Sequence, residues 1–372
     1  MFWAFPLLAS VEDDAAKIID QFYDLQFVQA QQSANRLEAI DPKSPAGSFY
    51  RSVAYYQRYL LEEPRDPRTF QLFLEASNLS YRKALRLMGS LPAMSHYYQG
   101  AALGFQARAF VTRGHYAAAI PRARKGAEHL TKALELDPSL IDADLGLGMY
   151  YYFLSRVPPA AKPFAYLMIG MWGDREKGLA LLLRVAKEGH AARREAQSIL
   201  SAIYGSQREQ QWDLALPYLR ELMNRYPHNP RYRLSAVYIL ERKGAWKEAA
   251  EMAAPDSDWL DMLDPMIRAQ ADAIARYRVA ENRLFEGQTR EAGRWLEGLA
   301  GQAASPTIKE WFALRWGNYW DAMGQRERAM SYYQSIHAKH PRKLADQFMA
   351  TPFPSGPRDV MPNRWPLSSI PE

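Results

Sequence analysis

The chain has 372 residues, 48% of them apolar, and 47 Lys and Arg against 41 Asp and Glu give it a net charge of +6. That length and apolar share suffice for a large buried core, and the mild basic excess is interspersed with acids rather than gathered into the stripe a nucleic-acid binder shows. There is no cysteine, which excludes disulfides, thiolate metal sites, iron–sulfur clusters and a cysteine nucleophile.

Residues 1–10, MFWAFPLLAS, read as the remnant of a signal peptide: a short apolar run closing on Ala9-Ser10, without the positive segment that precedes one. With the lack of Cys this points to an exported or periplasmic protein, cytoplasmic being the alternative. From Val11 to about Phe348 apolar residues recur at helical spacing and nothing reads as a strand pair, so an all-α fold is expected. No apolar run reaches the roughly eighteen residues of a transmembrane helix. Pro45–Leu61 is predicted to be one helix, and Asp66-Pro67 to cap and open another running toward Met88-Gly89. Gly100 and Gly104, four residues apart, predict a close helix crossing. Tyr116 to Leu136 should be a long helix closed by Asp137-Pro138. Within it, Arg122-Ala-Arg124-Lys125 is the densest basic run and reads as a solvated face.

The stretch from Asp144 to Gly189 interrupts this regularity. Tyr150 to Phe153 cover nearly all faces of one turn, Pro158-Pro159 ends a helix, and the apolar segment Phe164–Trp172, bounded by Pro163 and Asp174, is too short to span a membrane. Asp174 should cap a helix Arg175–Glu188 and Gly189 should stop it. Further on, Pro255 to Pro265 is a break with one short helix, and after Thr351 a proline-rich extended tail is expected to lie along the last helices through Phe353 and Trp365.

The most regular unit holds Trp316-Gly317, Trp320, Gly324, Ala329, Tyr333, Ile336 and Pro341. Gly317 and Ala329 are small where two helices cross, Gly324 takes the turn, and Pro341 is expected to end the second helix. The same frame recurs at Phe27, Ala30, Leu37 and Pro42; at Ala107, Phe110, Gly114, Tyr116, Ala119 and Ala123; at Ala215, Leu219, Leu222 and Pro227; at Val237, Leu240, Gly244, Trp246 and Ala249; and more weakly at Gly287, Ala292, Leu296 and Leu299. This pattern resembles the tetratricopeptide repeat, about six times over. The expected fold is therefore an all-α solenoid of tetratricopeptide-like helix pairs with an irregular helical insert in the middle. Its expected parts are residues 1–10, N-terminal repeats 11–141, the insert 142–190, C-terminal repeats 191–350 and the tail 351–372.

Over Asp142 to Tyr204 a second resemblance appears. Gly146-Leu-Gly148, Phe153-Leu-Ser155-Arg-Val-Pro158-Pro159, the apolar run to Gly173, Asp174-Arg175, Gly178-Leu179 and Leu182 follow the order found in the eukaryotic tetratricopeptide-repeat-39 proteins, their fungal inclusion-body-clearance relatives and bacterial repeat proteins of unassigned role. That resemblance implies a helical, non-enzymatic protein.

Motifs for chemistry are sparse. His337 and His340 stand three apart at a helix end without the acidic ligands that would make them a metal pair. Ser80-Tyr-Arg-Lys83 has an acylating spacing but sits mid-helix without its companion motifs. Gly146-Leu-Gly148 lies on a helix rather than after a strand, so it gives no phosphate cradle. No cofactor and no metal are expected. The expected function is a protein–protein interaction scaffold that binds a peptide or protein, not nucleic acid, on a concave helical surface. The frame places Arg108, Arg231, Tyr238, Arg242, Tyr277, Glu281 and Asn318 on the inward side of first helices, and Tyr and Arg are residue types that carry interface energy. A carboxylate clamp is expected to be incomplete, because Leu314 stands one turn before Asn318. The alternatives are a membrane- or lipid-associated adaptor acting through Phe164–Met171, and an enzyme whose site carries no recognisable motif.

Overall fold

The computed structural model describes residues 5–62, 66–157, 172–255, 258–261, 263, 265–298, 306–355 and 358–360. Among them are seventeen α-helices and one short 3-10 helix, Asp258–Leu260, with no strand. The fold is the expected all-α helical repeat. The chain divides into two compact units, one running to Glu209 and one starting at Gln210. The first holds α1 (Phe5–Tyr23), α2 (Phe27–Ile40), α3 (Ala46–Leu61), α4 (Pro67–Arg86), α5 (Pro92–Thr112), α6 (Tyr116–Leu136), α7 (Ala143–Ser155), α8 (Arg175–Glu188) and α9 (Arg193–Tyr204). The second holds α10 (Trp212–Arg225), α11 (Pro230–Arg242), α12 (Trp246–Ala253), α13 (Pro265–Phe285), α14 (Thr289–Glu297), α15 (Pro306–Ala322), α16 (Arg326–Gln334) and α17 (Lys339–Ala350).

Within each unit every helix packs on the next. The odd-numbered helices also pack on one another in succession, α1 to α7 in the first unit and α11 to α17 in the second, and no even-numbered pair makes comparable contact. The odd helices therefore form the inner layer. Four pairs turn in the same way, with Gly114, Gly244, Gly287 and Gly324 at φ +74 to +80°, where a Cβ is strained. The amide after each glycine returns to a carbonyl five residues earlier: His115 to Phe110, Ala245 to Leu240, Gln288 to Arg283 and Gln325 to Trp320, all at 2.8–2.9 Å.

Local signals act as the sequence predicts. Asp66 accepts from the Arg68 amide and Asp174 from the Lys177 amide at 2.9 Å, starting α4 and α8. The glycines of the central phrase serve helix crossing. A Cβ on Gly178 would stand 2.6 Å from the Tyr152 amide nitrogen and 2.8 Å from the Gly148 carbonyl, so α7 and α8 meet backbone to backbone. In the last repeat a Cβ on Gly317 would stand 2.2 Å from the Tyr333 ring, and Ala329 is fully buried.

One expectation is corrected. Pro341 does not end the second helix of the last pair; α16 stops at Gln334, and Pro341 lies in the first turn of α17, where its missing N–H has no intrahelical partner to lose. The segments Pro158-Pro159 and Phe164–Met171, and Trp365, lie outside the described residues. None of the described helices is long and apolar enough to cross a membrane.

Candidate functional site

In the first unit the inner helices enclose a hollow of about 400 Å³. Its wall is almost wholly apolar: Ile19 and Phe22 from α1, Phe49 and Val53 from α3, Phe105 and Val111 from α5, Leu145, Met149 and Phe153 from α7. The floor is made of small residues, Gly100, Ala101 and Gly104 on α5 against Ala123, Gly126 and Ala127 on α6. These let the two helices approach: a Cβ on Gly126 would lie 3.1 Å from the Gly100 carbonyl. Tyr116, 60% exposed, stands at the rim. Charge enters the wall chiefly as the Arg108–Glu195 ion pair, with the Arg108 guanidinium 5.5 Å from the centre of the Tyr56 ring. Asp142, also lining the hollow, is occupied by the amides of His190 and Ala191 at 2.8 and 2.9 Å. The Tyr150 hydroxyl is buried without a partner among the described residues; burial pushes it up to about 12.

In the second unit the inner layer carries a buried ionic network instead. On α13, Arg278 donates to Glu241 of α11 at 2.7 Å and to Glu281 at 3.2 Å. The Asn282 amide donates to the other oxygen of Glu241 at 2.8 Å, and the Tyr277 hydroxyl to Glu281 at 2.7 Å. From α15, Arg315 donates through Nε to Glu281 at 2.9 Å and through Nη1 to Asn318 at 2.8 Å. Asn318 in turn donates to the Tyr333 hydroxyl at 3.0 Å, which donates to Asp321 at 2.9 Å. Arg278, Glu241, Glu281, Asn282, Arg315 and Asn318 are all at most 2% exposed. Burial pushes the Glu241 carboxyl above its ordinary value against the pull of Arg278. For Arg315, burial acts downward, but Tyr277 and Glu281 outweigh it and hold the guanidinium above its ordinary value.

The second unit's inner layer also holds chain that follows α17. The Phe353 amide donates to Asp321 at 3.1 Å, and its ring sits between Phe285 and Phe348 with centroids 6.1 and 5.9 Å away. Six residues later the Asp359 carbonyl accepts from Arg315 Nη2 at 2.6 Å and its carboxylate from Arg242 Nη1 at 3.3 Å. Val360 is buried beside it. The tail thus lies across the first helices of three successive pairs.

The seven sequence-selected residues divide between these places. Arg108 lines the hollow. Tyr277, Glu281 and Asn318 are wholly buried in the ionic network and do not present a solvated surface; Tyr238, 3% exposed, lies 5.9 Å from the Arg278 guanidinium. The physical reason is that inward positions on first helices face the neighbouring first helix and the tail. Arg242 does reach the tail. Arg231, at the start of α11, lies over the Tyr232 ring. Sequence reasoning missed Arg315, Arg278, Glu241 and Asn282. It looked for the cation partner of Asn318 at Leu314, whereas Arg315, three residues before Asn318, supplies it. Ser80 and Lys83 are parted by their bonds, the hydroxyl to the Pro45 carbonyl at 3.1 Å and the ammonium to Glu38 at 2.6 Å.

No family model and no curated protein matches the chain. Among solved structures, the human IFIT1 dimer with m7Gppp-AAAA aligns over 90% of this chain and 84% of its own at 14% identity and a TM-score of 0.41. A monomeric mutant of IFIT1 with Gppp-AAAA gives 13% identity over the same shares and a TM-score of 0.42. The Naa15/Naa10 assembly bound to HypK-THB gives 14% identity over 91% of this chain and 71% of that one, with a TM-score of 0.33. Identities of 13–14% assign no ligand to the present chain.

Proposed function

We propose that the chain is a non-enzymatic helical-repeat scaffold that takes an apolar segment of a partner protein in the hollow of its first unit. The observation that carries this reading is the hollow itself: about 400 Å³ within the inner layer, walled by aromatic and aliphatic side chains, with Arg108 already neutralised by Glu195. A wall of that composition gains by covering apolar side chains and offers few groups to orient a small polar substrate. Supporting it, both oxygens of Glu241 and of Glu281 are engaged by donors, which leaves this carboxylate pair unsuited to acid–base work. In the basic run, Arg122 bonds Gln106 and Arg124 pairs with Glu128, which favours a protein partner over nucleic acid. The kinship of residues 142–204 to the tetratricopeptide-repeat-39 proteins is part of the same proposal, supported by the Gly148–Gly178 crossing and the Asp174 cap.

The test is a photo-reactive phenylalanine analogue at Tyr116 in the full chain, irradiated in native cells, with the same probe at exposed Leu214 as control. A discrete protein adduct at position 116 is expected, lost when Gly104→Trp fills the hollow; no atom lies within 4 Å of a Cβ built on Gly104, so the added ring starts in open space. Adducts to lipid alone would replace this reading with the lipid-associated adaptor. No adduct specific to position 116 would remove the hollow as a binding site.

A further inference from the structure

The tail seat has the marks of a recognition site whose ligand is held in cis. Two arginines converge on one residue, Arg315 on the Asp359 carbonyl and Arg242 on its carboxylate. Phe353 fills an aromatic slot at the other end. Between these anchors Pro354, Ser355 and Arg358 are exposed. The fit at the acidic end is incomplete. Arg242 meets the carboxylate with a single contact at 3.3 Å, its Nε is buried with no partner among the described residues, and the Asp359 side chain is 39% exposed. A guanidinium beside a carboxylate ordinarily forms two parallel bonds, so a carboxylate entering at a better angle would use both nitrogens.

We propose that the face made by α11, α13 and α15 binds a segment of a partner protein bearing an aromatic residue in a turn, followed six positions later by an aspartate and then an apolar residue, and that residues 353–355 and 358–360 occupy the face until such a segment displaces them. The backbone and the carboxylate of the aspartate are both read, which requires a peptide rather than a lone anion. The tail follows α17 directly, so its effective concentration at the seat is of the order of millimolar, and a competing segment must exceed that advantage. The hollow of the first unit plays no part in this binding, so failure of one leaves the other standing.

The experiment is a fluorescence-anisotropy titration with a labelled synthetic peptide spanning residues 351–362. It is titrated with the full chain and with a full-chain variant, Phe353→Ser with Asp359→Asn, that weakens the cis occupant. The variant is expected to bind the peptide at least about tenfold more tightly than the wild type, because the competing cis segment is lost. An Asp359→Asn peptide, or Arg242→Gln in the seat, should reverse that gain by about tenfold. If the double variant melts early, Asp359→Asn alone serves, since it alters only a half-exposed side chain. Failure of the peptide to bind a folded variant, or binding indifferent to Arg242→Gln, overturns the proposal. Concentration-dependent dimers in light scattering that vanish with Asp359→Asn would give the seat to the tail of a second copy and overturn the assignment to a different partner.

Discussion

Glu281 is the hub of the buried network, and its removal has a calculable consequence. In Glu281→Leu, Arg315 keeps neutral acceptors, Asn318, the Asp359 carbonyl and the Tyr277 hydroxyl, while remaining fully buried; Arg278 keeps Glu241; and the Tyr277 hydroxyl loses its own acceptor. Breaking a buried pair from one side costs about 3–5 kcal/mol, because the surviving charge stays out of water. Arg315→Met should cost about 3 kcal/mol, the lower end of that range, because Glu281 loses its closer guanidinium but keeps Arg278 and the Tyr277 hydroxyl. The double variant removes both charges at once, so its cost should fall well below the sum, with a coupling of about 2–3 kcal/mol. Guanidinium unfolding followed by tryptophan fluorescence is the assay: of the 10 Trp residues only Trp3 and Trp172 precede Gln210, so the signal reports mainly the second unit. With a slope of about 4 kcal/mol/M, each single variant should lower the midpoint by about 1 M. Additive single and double effects, or a cost below about 1 kcal/mol for Glu281→Leu, would refute the view that this network is a coupled buried unit.

Two further outcomes follow. Gly178→Ala should destabilise the first unit by about 1–3 kcal/mol, because its Cβ meets the backbone of Tyr152 and Gly148, whereas Gly104→Ala, facing open space in a helix, should stabilise by about 0.5–1 kcal/mol; matching melting temperatures for the two would contradict the α7–α8 crossing. His129 is held below its ordinary value by burial first and then by His96, whose Nδ1 lies 2.9 Å from its own, with Lys125 acting the same way, Glu128 opposing and the Tyr81 ring edge-on. A depressed histidine favours the neutral native state, so stability is full above the unfolded value near 6.5 and is lost as pH falls below it. Thermal melts at pH 7.5 and 5.5 should show a fall that His129→Gln reduces; an unchanged fall would place the acid sensitivity elsewhere.

Much of the fold was legible because repeats leave a signature that single helices do not. The turn glycines, the caps Asp66 and Asp174, and the small residues Gly317 and Ala329 each follow from one local rule, and each stands where that rule puts it. Pro341 failed because a proline just after one helix and a proline in the first turn of the next look alike in sequence. The site was half legible. Counting back six residues from the turn glycines gives Arg108, Tyr238, Glu281 and Asn318, which were selected; counting back nine gives Phe105, Ser235, Arg278 and Arg315, which were not. Both positions lie on one helical face, but whether a side chain there meets solvent or the next helix depends on spacing between helices, which no single-helix pattern encodes.

That same pair of positions explains why the two units treat their inner layers differently. In the first unit the six-back residue Arg108 takes Glu195 from α9 as partner, the nine-back residue is Phe105, and the small residues of α5 and α6 leave space, so the wall is mostly apolar. In the second unit the nine-back residue of α11 is Ser235, but those of α13 and α15 are arginines, and each arginine bonds a six-back residue of its own helix, Arg278 to Glu281 and Arg315 to Asn318, while Arg315 also reaches Glu281 on the preceding inner helix. Stability does not ask for this, since buried ion pairs are often replaced by apolar groups without loss. What an apolar stripe lacks is a donor for the backbone of an occupying segment. A carbonyl such as that of Asp359, drawn against an apolar wall, would be left unpaired at a cost of about 1–3 kcal/mol, and Arg315 removes that cost while Glu281 keeps its guanidinium in place. The charged stripe is therefore matched to the main chain it already holds, that of Asp359.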